Sequence, residues 1–317
     1  MNRRSRHLRL KLVALLTTAG LCACTGSGTS NGSDGEASGR NPNSGSQKSL
    51  FADSPVTVLV KSDQPGFSTP SGGESYTGFD VALTHFLARE IGFKERLRSV
   101  PGGEREQSLS RGLGDLAIAT YTITEARDEK IDFTAPYLKT YQGVLVRKDN
   151  TDIKKLDDVA GKRVCTATGT TSDPGSAPGR GEREQIVDAI GRDAVIKLRK
   201  DYDSCVSALR TGVVDAVWTD KVLLEGIAEA DGGHDVKVVE DIAIESRQFY
   251  GIGLPEGHER DCRRINARLK KFLRQTWRDT FTDHFPRIAA GGPGFEQQYK
   301  PTEREFKAYE AKSCGGA

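Results

Sequence analysis

The chain has 317 residues, 36% of them hydrophobic and 28% charged, which is too long for one ordinary core and suits two lobes. Its formal net charge of +2 falls to −3 once the five basic residues of the first 23 are set aside. The remainder carries no basic surplus that would argue for a nucleic-acid partner.

Residues 1–23 read as a targeting segment. Arg3, Arg4, Arg6, Arg9 and Lys11 precede the apolar run Leu12 to Ala23, which is shorter than the roughly 20 residues needed to cross a bilayer. The run ends in Leu21-Cys22-Ala23-Cys24, which looks like a bacterial lipobox with Cys24 as the lipidated residue. A plain secretory signal with a chance cysteine is the alternative. The lipobox reading predicts an extracytoplasmic chain, lipid-anchored to the outer face of the cell membrane. Residues 24–52, rich in Gly, Ser and Asn, read as a flexible tether. With Cys22 and Cys24 set aside, Cys165, Cys205, Cys262 and Cys314 remain. An even number in an exported chain predicts disulfides, and spacing alone leaves three pairings open. Zinc is disfavoured, because there is no C-x-x-C pair and the five histidines are scattered.

The body opens with the strand Val56–Val60, followed by a loop from Lys61 to Phe67. Ligands of open α/β sheets bind outside the carboxyl ends of strands, so Asp63, Gln64 and Phe67 are candidate pocket residues. Ordinary turn chemistry around Pro65-Gly66 explains them equally well. Gly78–Ile91 is an amphipathic helix with Phe79, Leu83, Phe86, Leu87 and Ile91 on one stripe, stopped by Gly92. Asp80 reads as a helix-start carboxylate and His85 as a surface histidine. Arg105 heads a short helix, where a solvated charge is the plain reading.

Leu116–Ala119 is an apolar run fit for a strand covered on both faces. A hydroxyl-rich turn with Thr120, Thr122 and Thr124 is expected next, then a helix start at Thr124-Glu125 that brings Arg127 to the same rim. Backbone N–H groups at a helix start plus a guanidinium fork suit a small carboxylate. An internal echo follows: Leu109, Gly112 and Asp115 recur as Leu209, Gly212 and Asp215, each set leading into an apolar strand. It predicts two similar α/β lobes and brings Thr120 and Asp220 to equivalent strand ends. Asp220 also suits a helix N-cap. Tyr141–Val146 and Phe249–Leu254 read as strands crossing between the lobes. Helices are expected over 256–275 and 302–311. No H-E-x-x-H, G-x-S-x-G or phosphate-loop pattern is present.

The wording of residues 114–137, GDLAIATYTITEARDEKIDFTAPY, together with the helix 76–91, resembles the extracytoplasmic amino-acid-binding proteins of ABC importers. These are the solute-binding protein family 3, with the type II periplasmic-binding-protein fold. The resemblance covers about residues 55–285. It implies an α/β fold of two doubly wound lobes joined by two hinge crossings: lobe 1 from 53–143 and 248–317, lobe 2 from 144–247. It implies pairing Cys165 with Cys205 and Cys262 with Cys314, each closing a loop worth roughly 4 kcal/mol in the chain-entropy model. It implies that Arg127, with N–H groups of Thr122 and Thr171, holds a ligand α-carboxylate. Gly169-Thr170-Thr171-Ser172 would be a second anion-binding turn at a helix N-terminus. Asp220 and the Thr120 hydroxyl would take the ammonium, Phe67 would cover the ligand, and Arg105 would meet a side-chain carboxylate. Two departures stand out. Ala82 replaces a usual acid, and Asp173-Pro174-Gly175 delays the helix after the second turn. The function implied is capture of glutamate or aspartate by a monomer for an ABC permease, with no cofactor, metal or chemistry. A sensor lipoprotein read by a membrane protein, or an exported dehydratase, are the rivals.

Overall fold

The computed structural model describes residues 47–176, 190 and 193–315. The targeting segment, Cys24 and the tether to residue 46 lie outside them. Residues 47–52, expected to be tether, are docked instead. Ser49 Oγ and the Leu50 N–H both donate to Asp261 at 2.7 Å, and Phe51 stacks on Phe93 with centroids 5.2 Å apart. Phe51 brings apolar area that the Gly/Ser run before it lacks, so the body starts there.

Twelve strands are described: β1 (Val56–Val60), β2 (Thr69–Gly72), β3 (Ser75–Thr77), β4 (Glu95–Ser99), β5 (Leu116–Thr122), β6 (Asp132–Phe133), β7 (Leu138–Arg147), β8 (Arg163–Ala167), β9 (Val195–Arg199), β10 (Ala216–Asp220), β11 (Val236–Val238) and β12 (Ile244–Leu254). β2 and β3 form a hairpin, and the other strands share one sheet in the order β4-β1-β5-β12-β7-β10-β8-β9, with β6 beside β12 and β11 beside β7. The ends of the order are two parallel blocks, β4-β1-β5 and β10-β8-β9. Between them run β12 and β7, antiparallel to each other, with β12 also antiparallel to β5 and β7 to β10. β12 pairs Tyr250 with Thr122 of β5, while β7 pairs Gln142 with Asp220 of β10. Each crossing strand therefore belongs to both lobes, which makes the fold the two-lobed α/β type.

The helices follow from capping and apolar stripes: α1 (Phe79–Ile91), α2 (Arg105–Ser110), α3 (Glu125–Asp128), α4 (Tyr202–Arg210), α5 (Lys221–Ala230), α6 (Glu259–Gln275), α7 (Trp277–His284), α8 (Pro286–Ala290), α9 (Gly294–Tyr299) and α10 (Glu303–Glu310). α1 buries Phe79, Leu83, Phe86, Leu87 and Ile91. Phe79 meets Phe67, Tyr137, Phe272, Trp277 and Phe281 within 6.3 Å, mostly edge to face. Burying each such side chain contributes about 1.5–3 kcal/mol. Lobe 2 has its own apolar layer around Trp218, Val144, Val146, Ile153 and Val159. The structure joins Cys165 to Cys205, tying β8 to α4, and Cys262 to Cys314, tying α6 to the C-terminus. No helix among the described residues is long and apolar enough to cross a membrane.

β5 is longer than the apolar run suggests. Tyr121 and Thr122 stay in the strand because β12 pairs with them, so the hydroxyl-rich segment is a strand end rather than a turn.

Candidate functional site

A cleft of about 320 Å³, counted to its open mouth, lies where the carboxyl ends of β1, β5 and β10 face the start of α4. Lobe 1 lines it with Lys61, Gln64, Gly102, Arg105, Thr120, Thr122 and Arg127. Lobe 2 contributes Thr170, Thr171, Tyr202, Thr219, Asp220 and Leu223. The lobes touch across it. The Tyr202 N–H donates to Asp63 Oδ2 at 3.0 Å, and the Gly169 carbonyl accepts from Arg105 and Arg127 at 3.2 and 3.1 Å. Gly169 sits at φ 72°, and a Cβ there would lie 2.2 Å from the Gly103 Cα, so only glycine permits this approach. Gly226 of α5 is a second tight seat: its Cβ would lie 2.3 Å from the Pro65 carbonyl oxygen.

Arg105 is not a solvated helix charge. It is 3% exposed, donating from Nε to Gly102 O and from Nη1 to Ala119 O, both at 2.9 Å. Arg127 is also buried; Nη1 donates to Thr122 O at 2.8 Å and Nε lies 3.2 Å from Glu106 Oε1. Both guanidinium carbons stand over the Tyr121 ring, 4.2 and 5.0 Å from its centroid. Burial, and then the charge of Arg105, pull the Arg127 pKa down from its ordinary value. Each guanidinium uses three of its five N–H groups in these contacts, which leaves two on each uncommitted among the described residues.

Thr120 holds a left-handed backbone, φ 46°, which is rare for a β-branched residue. Its N–H donates to Asp80 Oδ2 at 2.9 Å, and its Oγ1 lies 2.6 Å from Gln64 Oε1. Asp80 is thus a wholly buried brace, also accepting from the Tyr137 hydroxyl at 2.9 Å, rather than a simple helix-start carboxylate. Burial pushes its pKa up to about 7, against the hydrogen bonds from Tyr137 and Thr120.

Opposite the arginines stands Asp220. It occupies the N-cap position of α5, yet its side chain makes no cap bond. Oδ2 accepts a short hydrogen bond from the Tyr250 hydroxyl, while Oδ1 is buried and has no partner among the described residues. Burial raises its pKa to about 6, opposed by Tyr250 and by the charges of Arg127 and Arg105. A buried carboxylate oxygen without a donor is costly unless a cation meets it.

Two of the residues singled out from the sequence stand elsewhere. Phe67 does not cover the cleft; it is 0% exposed and packs on Phe79, Tyr250 and Phe285 in the core. An apolar ring beside an aromatic cluster buries more area there than at a polar rim. Asp63 is not itself in the lining but holds two residues that are: Oδ1 lies 3.1 Å from Lys61 Nζ, and Oδ2 takes the Tyr202 N–H. The second turn is not a helix start either. The Gly169 N–H donates to Asp173 Oδ2 at 3.0 Å, and a short 3₁₀ turn follows at Pro174–Ser176. Thr170 and Thr171 still line the cleft. Lys61, Tyr202 and Thr219 line it without having been singled out. Tyr202 starts α4 behind its Asp201 cap, a local pattern with no ligand signal. No group of three or more His, Cys, Asp or Glu suited to a metal occurs among the described residues.

Residues 56–285 match the bacterial extracellular solute-binding proteins, family 3. A glutamate-binding protein of Corynebacterium efficiens is 32% identical over 227 residues, 68% of this chain and 73% of that protein. A glutamine-binding protein of an ABC transporter of Bacillus subtilis is 30% identical, covering 83% of this chain and 90% of its own length. Among solved structures, an ancestral arginine-binding protein bound to glutamine aligns with a TM-score of 0.63 at 27% identity, over 73% of this chain and 97% of that one. With the sheet order, the two crossing strands and the cleft at the strand ends, these matches place the chain in the bacterial extracellular solute-binding proteins, family 3.

Proposed function

We propose that the protein captures a free α-amino acid in the interlobe cleft, glutamate or aspartate in the first place, and delivers it to an ABC permease. One observation carries this reading: two buried guanidiniums, each with N–H groups uncommitted among the described residues, face an Asp220 oxygen that has no donor among them. That is the charge pattern of an amino acid, carboxylate on one side and ammonium on the other. Arg127 holds the α-carboxylate with help from Thr122 and Thr171, and Asp220 with the Thr120 hydroxyl takes the ammonium. Lys61 is paired with Asp63 and Arg127 with Glu106, whereas Arg105 donates only to carbonyl oxygens, so its charge is the one available to a second carboxylate of the ligand. Arg105 is assigned to that carboxylate. Relatives named for glutamate and glutamine support the ligand class. Binding to both lobes stabilises the closed state over the open one. The chain works as a monomer outside the cytoplasm, anchored by lipid on Cys24, and catalyses nothing.

The test is a thermal-shift titration of the protein, refolded to shed bound ligand, against the twenty amino acids. A ligand at a hundredfold its Kd adds about 2.7 kcal/mol of stability. A shift with glutamate or aspartate is expected, and no shift with any amino acid overturns the reading. Arg105→Ala is expected to weaken glutamate by about tenfold to a hundredfold, the loss of one charge-assisted hydrogen-bonded pair. Glutamine should change by less than threefold in calorimetric titration. An equal loss for both ligands removes Arg105 from the selectivity site.

A further inference from the structure

Residues 286–315 lie beyond the segment matched by the family, yet they tie three parts of the molecule together. At their start, the Arg287 N–H donates to Glu229 Oε1 of α5, in lobe 2, at 3.3 Å. Midway, Glu305 grips both crossing strands. Lys139 of β7 donates to Oε2 at 2.9 Å, and Arg247 of β12 donates to Oε1 at 2.8 Å. These strand positions are neighbours, because Lys139 pairs with Phe249 in the ladder, and the Phe249 ring lies 4.8 Å from that of Tyr309. At their end, Asn266 of α6 donates to Ser313 Oγ at 2.9 Å, and the disulfide fixes Cys314 to Cys262 of lobe 1.

The Glu305 contact differs from an ordinary surface pair. The Lys139 side chain is only 4% exposed, so its ammonium has given up most of its water and needs a counter-charge. Glu305 is itself held in place, since Oε2 also accepts from the N–H and hydroxyl of Thr302 in the capping box of α10. One carboxylate thus serves a helix start and two cations on separate hinge strands.

We propose that residues 286–315 form a strap that holds the hinge strands in the closed-lobe setting, with Glu305 as the positioning residue through which it acts. When the lobes part, β7 and β12 twist where they pass from one lobe to the other, and Arg247, at the lobe 2 end of its crossing, swings away from Lys139, which pairs with Phe249 on the lobe 1 side. Glu305 cannot follow, because its cap and the Cys262–Cys314 link hold it to lobe 1. The strap therefore opposes opening and slows ligand release without touching the ligand. This rests on the reading of the cleft as one that opens and closes about β7 and β12.

The test uses the full chain carrying Glu305→Gln, which keeps an acceptor for the Thr302 cap but loses the charge. Without ligand, hydrogen exchange of amides in 138–142 and 247–250 is expected to quicken about tenfold, the loss of one charge-assisted bond. Amides of β1 and α1 should stay within twofold. L-glutamate should dissociate at least fivefold faster, with its association rate within twofold. Arg247→Met, which removes the cation on the lobe 2 side and leaves the buried Lys139–Glu305 pair in place, is expected to do the same and serves if Glu305→Gln folds poorly. Hinge exchange within twofold of wild type in both variants overturns the strap. So does acceleration spread evenly over both lobes, which marks a merely structural tie. If the wild type binds no L-glutamate, the exchange measurement still decides the strap, and the failure falls on the ligand reading.

Discussion

Replacing Arg127 by Ala raises the dissociation constant for every amino acid the protein binds by about a thousandfold. The guanidinium is buried, with Glu106, Thr122 O and Gly169 O holding three of its N–H groups, so it is fixed before a ligand arrives. Truncating one partner of a buried, hydrogen-bonded charge pair costs about 2–5 kcal/mol, and a thousandfold is about 4 kcal/mol. Because every α-amino acid carries the same carboxylate, the loss is uniform across ligands, unlike that of Arg105→Ala. Arg127→Lys restores only part of the affinity, since an ammonium cannot present a planar fork. Titration calorimetry with L-glutamate and L-glutamine reads both variants. Affinity retained within threefold in the alanine variant removes Arg127 from the carboxylate site.

Asp220 produces the second large effect, and its sign with pH is unusual. The cleft needs the ionised carboxylate to meet an ammonium, whereas burial raises its pKa to about 6. As pH falls through that value the group takes up a proton that binding must expel. Affinity is therefore expected to drop by about tenfold per pH unit below 6. Stability without ligand runs the other way. The folded pKa lies above the unfolded one, so the contribution of Asp220 grows as pH falls from about 6 toward 4 and is lost as pH rises back through 6. Asp220→Asn should weaken binding at pH 7.5 at least a hundredfold, in line with an unpaired buried ligand ammonium, and flatten the pH profile. Asp80, raised to about 7, titrates nearby in both proteins, so the difference between their profiles isolates Asp220. A variant whose affinity still falls with the wild-type slope below pH 6 rules out Asp220 as the ammonium partner.

Much of this fold is legible along the chain, because the strands and long helices are written in local periodicity. VTVLV and LAIA are uninterrupted apolar runs and become strands buried throughout. The stripe Phe79, Leu83, Phe86, Leu87, Ile91 becomes the buried face of α1. Thr120 and Asp220 follow from the internal echo, which sets both at the carboxyl ends of strands where the cleft lies. Boundaries decided by pairing were less visible. β5 runs past Ala119 only because β12, more than a hundred residues later, supplies its partners.

Side-chain assignments divide along the same line. Periodicity and turn chemistry determine which segments are strands and helices, because each depends on neighbours within a few residues, while the cysteine count predicts disulfides and leaves the pairing of partners 40 and 52 residues apart open. The internal echo predicts two similar halves, and each end of the sheet order carries a parallel block of three strands. The tertiary structure alone decided that Asp63 pairs with Lys61 and takes the N–H of Tyr202, 139 residues away, and that Phe67 belongs to the aromatic core. It alone decided that Asp80 braces a strained Thr120, and that Glu305 reaches Lys139 and Arg247. The reason is physical: a charged or aromatic side chain settles where its partners and buried area are, and distant parts of the chain supply both.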